Sequence, residues 1–202
     1  MNDPIPDAVL EKGPYDSWEL VIEDSLHLKN FYIRLIDFLV DEGFTDLYEG
    51  KENFETYYYE KEKEDGTKEH KIWWRASRLA TISPRKNLKF YIAINISTLF
   101  LKKVEQIVEG NKVKLDSGEF KTNFYLYLDY ENNEASPEKY DWIMKLFSFN
   151  SNWKKERQQA IEAFEDEGMA FSRDLYSFIQ SFAGVTPQTR PRDFVPFKGI
   201  GN

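Results

Sequence analysis

The chain contains no cysteine, two histidines and three methionines, and none of its apolar runs is long enough to span a membrane. Without cysteine there can be no disulfide, thiolate zinc site, iron–sulfur cluster or cysteine nucleophile, a composition that suits a reducing cytosol. The longest apolar stretch, LKFYIAINISTLFL (88–101), falls short of the roughly 20 residues a span needs and carries Lys89 and Asn95. It reads as a buried strand. An excess of positive charge is also missing. The net charge of −8 and the pI near 5.0 argue against a general affinity for nucleic acid or anionic membranes. The opening, MNDPIPDAVLEKGPYD, has neither the basic n-region nor the apolar h-region of a secretory signal, so the expectation is cytoplasmic.

Catalytic signatures are lacking too. The sequence holds no P-loop, G-x-G-x-x-G, G-x-S-x-G or H-E-x-x-H. His27 and His70 lie far apart with no metal-ligand spacing and read as solvated or capping residues. Acids crowd at Glu60, Glu62, Glu64 and Asp65, and again at Glu162, Glu165, Asp166 and Glu167, where they read as solvated faces. Asp129 and Glu131 are only slightly better placed for acid–base work. The expectation is therefore a non-enzyme without cofactor or metal.

What the chain does have is aromatic residues, 16% of 202 positions, in a recognisable order of elements. Residues 1–16 carry Pro4, Pro6 and Pro14 and read as a flexible arm. SWELVIED (17–24) suits a strand. Leu28, Phe31, Tyr32, Leu35, Ile36 and Leu39 recur at intervals of three and four, one helical face, with Asp24 or Ser25 as N-cap and Gly43 as the stop. FTDLYEG (44–50) reads as a strand, and 54–77 as a long hairpin turning at Asp65-Gly66. Segments 88–97, 103–110, 111–120 and 121–130 continue the β pattern with turns at Gly110 and Ser117-Gly118. Six to eight short-linked strands predict an antiparallel sheet. Ser136-Pro137 opens a short helix through Tyr140, Ile143, Met144 and Phe147. A longer one, about 153–183, carries the stripe Phe164, Phe171, Leu175, Phe178, Ile179 and Phe182. The last eighteen residues, 185–202, are rich in proline and glycine and read as a tail.

Splitting the strands by parity separates two faces. Phe90, Ile92, Ile94 and Ile96, with Phe120, Phe124, Leu126 and Leu128, form a dry side that the helices must cover. The other side carries Lys89, Tyr91, Lys121, Tyr125 and Tyr127. In IWWRAS (72–77), Trp74 falls with the dry set and Trp73 and Arg75 with the tyrosines. The predicted fold is a single α+β domain over 17–184: an antiparallel sheet with one N-terminal and two C-terminal helices on one face.

Trp73, Arg75, Lys89, Tyr91, Lys121, Tyr125 and Tyr127 form the candidate contact face. It reads either as ordinary cross-strand aromatic–cation pairing or as a surface for a protein partner or a second copy of the chain. In the tail, Arg190 and Arg192 with Phe194 and Phe197 resemble a docking peptide. A small hydrophobic ligand between the long helix and the sheet is the alternative, and an RNA-contacting sheet is a third reading that the acidity disfavours. Lys154, Lys155 and Arg157 at the start of the long helix read as a solvated face.

Trp74-Arg75-Ala76, Lys103-Val104-Glu105, Gly110-Asn111-Lys112 and Leu128-Asp129-Tyr130 occur in an order that resembles a family of small uncharacterised archaeal proteins, over about residues 28–183. That resemblance implies an archaeal cytosolic setting and no activity. The order strand, helix, meander, long helix also resembles the helix-grip arrangement of START-type lipid-binding domains, in which a cavity lies between helix and sheet.

Overall fold

A computed structural model of the protein describes residues 3–48, 53–81, 88–108, 111–130 and 151–182. The predicted short helix at 136–147, the tail, Gly110 and Glu131 lie outside the described residues, as do the side chains of Lys154, Lys155 and Arg157.

Five strands form one antiparallel sheet: β1 (Asp16–Leu26), β2 (Glu55–Glu62), β3 (Lys68–Leu79), β4 (Lys89–Val108) and β5 (Asn111–Asp129). Their spatial order is β1-β5-β4-β3-β2. The last four form a meander, and the first strand returns to pair with the last, Trp18 opposite Phe124 and Ile22 opposite Phe120. Among the described residues six to eight strands become five because Lys89–Val108 and Asn111–Asp129 are each continuous. The described part of FTDLYEG, residues 44–48, contributes an isolated bridge, Thr45 to Ser77, and no strand. The hairpin turns at Asp65-Gly66 as the sequence predicts. Gly66 has φ +76°, and the Asp65 carboxylate accepts from both the backbone N–H (3.0 Å) and the hydroxyl (2.6 Å) of Thr67.

Among the described residues two helices cover the dry face: α2 (Leu28–Asp41) and α3 (Ser151–Ser181). Each supplies an apolar stripe to one core that includes Leu35, Leu39, Trp74, Ile94, Phe124, Leu126, Phe164, Phe171, Leu175 and Ile179. The N-cap of α2 is His27, whose Nδ1 accepts from the Asn30 N–H at 3.1 Å, and not Asp24 or Ser25. The longer helix approaches the sheet closely at Gly168, where a Cβ would lie 3.0 Å from the Phe90 ring and 3.1 Å from Leu126. Phe164 stacks 4.4 Å from Phe90 and Phe171 4.7 Å from Phe44, so the phenylalanine stripe fills the core. Ser172 donates to the buried carboxylate of Asp16 and accepts from Trp18 Nε1 at 3.1 Å, tying α3 to β1.

The acids of α3 are not all solvated. Glu167 bridges Arg78 at 2.7 Å and accepts from the Thr81 hydroxyl at 2.8 Å, while Glu165 accepts from Tyr130 at 2.9 Å.

The opposite face carries the largest correction to the sequence reading. The N-terminal arm lies on it through Ile5, Val9 and Leu10, with a one-turn helix α1 (Asp7–Leu10). Ile5 (1% exposed) and Val9 (4%) are buried against Tyr91, Ala93, Tyr125 and Tyr127. The N-terminal arm therefore covers the tyrosines that the sequence leaves open, because that face had enough apolar area to reward a cover.

Candidate functional site

Every residue of the candidate contact face lies on one side of the sheet, as the parity predicts: Tyr91 is opposite Tyr127, Ala93 bridges Arg75 and Tyr125, and Lys89 faces Asp129. They do not form one open surface. Tyr91 is buried at 6% exposure and Arg75 at 6%. The Arg75 guanidinium donates to Asp3 (2.8 Å), to Asn95 Oδ1 (2.9 Å) and to the Trp74 carbonyl (2.9 Å). Lys89 stands 5.0 Å over the Tyr91 ring, and Lys121 is paired with Glu19 at 2.6 Å. Only Trp73 of the set remains substantially exposed, at 39%, stacked 4.7 Å from Tyr57. The tail residues Arg190, Arg192, Phe194 and Phe197 lie outside the described residues.

A concave site lies on the other face, beyond the N-terminus of α2 and away from the phenylalanine stripe. It is a cleft of about 430 Å³ bounded by Leu28, Lys29 and Tyr32 of α2, by Tyr58, Glu60, Lys68, His70 and Ile72 of the β2–β3 hairpin, and by Leu101, Lys102, Lys103 and Asp116 of β4 and β5. A β-bulge shapes it. Between Leu99 and Lys102, β4 has one residue more than β5, and Phe100 takes φ +57°, a conformation that costs a bulky residue roughly 1–3 kcal/mol. Gly118 sits opposite, where a Cβ would come within 2.7 Å of the Leu99 carbonyl. The predicted turn at Ser117-Gly118 is in fact this close approach within a strand.

The extra residue inverts the alternation. Ile94, Ile96 and Thr98 face the core before the bulge, and Leu101 does so after it. The same inversion aims Lys103 at Asp116, 2.5 Å away. Asp116 also accepts from the Leu28 N–H at 3.2 Å, closing one of the open donors at the start of α2.

The polar wall of the cleft is a connected chain of side chains. Glu60 accepts from Tyr58 OH at 2.9 Å and from Lys68 at 2.6 Å. Lys68 is the main reason its carboxyl is held below the usual range, with Tyr58 adding to it. Tyr58 is pushed up to about 12, chiefly by burial and then by the adjacent Glu60. Tyr32 donates to Glu55 at 2.6 Å and is raised further, again chiefly by burial.

His70, which the sequence presents as a solvated residue, is buried at 7% exposure. Its Nδ1 lies 2.9 Å from Thr98 Oγ1, an atom that also accepts the His70 backbone N–H at 3.0 Å. The direction of that Nδ1–Oγ1 contact follows the tautomer of the ring, and Nε2 faces Glu60 at 3.6 Å, too long for a direct hydrogen bond. Burial lowers the proton affinity of the imidazole, and Glu60 opposes this only in part.

Sequence reasoning misses this site because three elements distant in the chain build it. One signal was available: the run Leu99-Phe100-Leu101 breaks a strict alternation, the pattern a bulge leaves. Among the described residues no group of three or more His, Cys, Asp or Glu side chains is arranged to hold a metal ion, and no helix is long and apolar enough to cross a membrane. No family model and no curated protein matches the chain.

Proposed function

We propose that the protein is a binding protein whose α2–hairpin cleft holds a small ligand. The observation that carries this reading is the cleft itself. Its volume of about 430 Å³ lies in the usual range of roughly 300–1,000 Å³ for small-molecule sites. Tyr32, Tyr58, Ile72 and Leu101 supply apolar walls, and a few fixed polar groups converge on them, which is the composition such sites have. The strained bulge that aims Leu101 and Lys103 is a further support, since backbone held in a costly conformation concentrates at ligand sites. Binding is favoured over conversion because both carboxylates of the wall are already engaged: Glu60 with Lys68 and Tyr58, Asp116 with Lys103. The test is a fragment screen read by backbone amide chemical shifts. Hits are expected to move His70, Ile72, Leu101 and Tyr58 together, and Tyr58→Ala to weaken them. Hits that cluster elsewhere, or none at all, would remove the reading.

A second reading keeps the other face. Trp73 (39% exposed) and Tyr59 (41%) stand beside β2, an outer strand of the sheet, and suit a contact with a protein partner or another copy of the chain. Sedimentation of the wild type against Trp73→Ala distinguishes it. Loss of a larger species in the variant supports the contact, and a monomer in both removes the self-association form of it.

A further inference from the structure

The charges around the cleft differ from those of the rest of the molecule. Four lysines and two carboxylates line it, a surplus of two positive charges with His70 neutral, in a chain whose net charge is −8. Glu60 and Asp116 are each already paired with a lysine of the cleft, Lys68 and Lys103. Lys29 and Lys102 enter no ion pair among the described residues, although both line the cleft. His70 Nε2, on a side chain only 8% exposed, has Glu60 at 3.6 Å, beyond hydrogen-bonding distance, and is a donor in the tautomer whose Nδ1 accepts from Thr98. Beneath these donors the walls are apolar: Tyr58, Ile72 and Leu101.

Resting on the reading that the cleft is a ligand site, we propose that its ligand is a small organic anion, a carboxylate or phosphate monoester carried on an apolar body of one or two rings. Cationic side chains that enter no ion pair among the described residues, beside a buried imidazole nitrogen able to donate, suit an anionic head, since charge-assisted hydrogen bonds are the stronger class. The tyrosine and aliphatic walls suit a flat apolar body. At ~30 Å³ per water-sized group the cleft holds about fourteen such groups, room for a fused bicycle.

The test is calorimetric titration of the full chain with 2-naphthoate, its neutral counterpart 2-naphthamide, and 2-naphthyl phosphate, at low and at physiological salt. One or both anions are expected to bind roughly tenfold or more tighter than the amide, the order expected for losing a hydrogen bond to a charged group, with the preference shrinking as salt rises. Which anion binds tighter separates the carboxylate from the phosphate. Lys29→Gln/Lys102→Gln is expected to bring the anions down to the affinity of the amide without changing the amide. Circular dichroism of the double variant confirms that its fold is intact. Equal binding of anions and amide, or an anion preference that survives the double variant, would overturn the inference while leaving the cleft as a ligand site. Binding of none of the three by the folded wild type would overturn both.

Discussion

Arg75 and Asp3, 72 residues apart in the chain, meet through a 2.8 Å hydrogen bond from the guanidinium Nε to the carboxylate, and this contact fastens the N-terminal arm to the sheet. Arg75 is almost wholly enclosed, and its Nη1 donates to Asn95 Oδ1 and to the Trp74 carbonyl. A guanidinium so placed needs its counter-charge, because an uncompensated buried charge is costly.

Asp3→Ala is therefore expected to destabilise the protein by about 1–2 kcal/mol in urea unfolding, discounted for the partial exposure of Asp3. It should also raise the rate at which proteases cut within residues 3–15, because Ile5 and Val9 then hold the arm without its ionic latch. An unchanged midpoint together with unchanged cleavage would mean that the two apolar residues suffice.

The adjacent tryptophans 73 and 74 give a second prediction. Trp74 is 1% exposed, meets Tyr32 edge-on at 4.9 Å and packs 6.2 Å from Phe54. Trp74→Ala should cost roughly 3–5 kcal/mol as a core truncation. Trp73 keeps one ring face against Tyr57 and stays 39% exposed, so Trp73→Ala should cost about 1 kcal/mol or less. Equal losses in urea melts would contradict the two-faced sheet.

The contrast between those two side chains was legible because alternation is a local property. In a half-buried strand neighbouring residues must part company, so Phe90, Ile92 and Ile94 could be set against Tyr91 and Ala93 from the sequence alone. The helical stripe ending in Phe171, Leu175 and Ile179 was legible for the same reason, with period 3.6 in place of 2. What escaped depends on encounters across the chain. The arm reads as loose because its three prolines argue against periodic structure, yet Ile5 and Val9 needed only one apolar face to dock on, without any regular element. Tyr91 was assigned to the right side of the sheet but to the wrong environment, since parity says which face a residue occupies and nothing about what lies over that face. His70 shows the same limit: its alternation with Ile72 and Trp74 was visible, but its burial depends on Thr98 and α2.

His70 also makes stability depend on pH with a definite sign. The charged groups lining the cleft around it are Glu60 and Lys68 from its own hairpin, Lys29 from α2, Lys102 and Lys103 from β4 and Asp116 from β5, with the Thr98 hydroxyl at Nδ1. Burial is the largest influence and puts its folded-state pKa below the ordinary 6.5. The unfolded chain therefore takes up the proton at a higher pH than the folded one, so stability must fall as the pH drops below 6.5 toward the folded value. Glu60 acts in a separate, lower window. Its carboxyl is depressed chiefly by Lys68, so what it contributes persists until the pH falls below the ordinary 4.5. Urea midpoints measured between about pH 7 and pH 5 should accordingly decline in the wild type, and the decline should flatten in His70→Gln, which cannot take up a proton there. A ring-proton NMR titration of His70 should give a midpoint below 6.5. A midpoint at or above that value would mean that Glu60 outweighs the burial, and the slope in this window would then reverse.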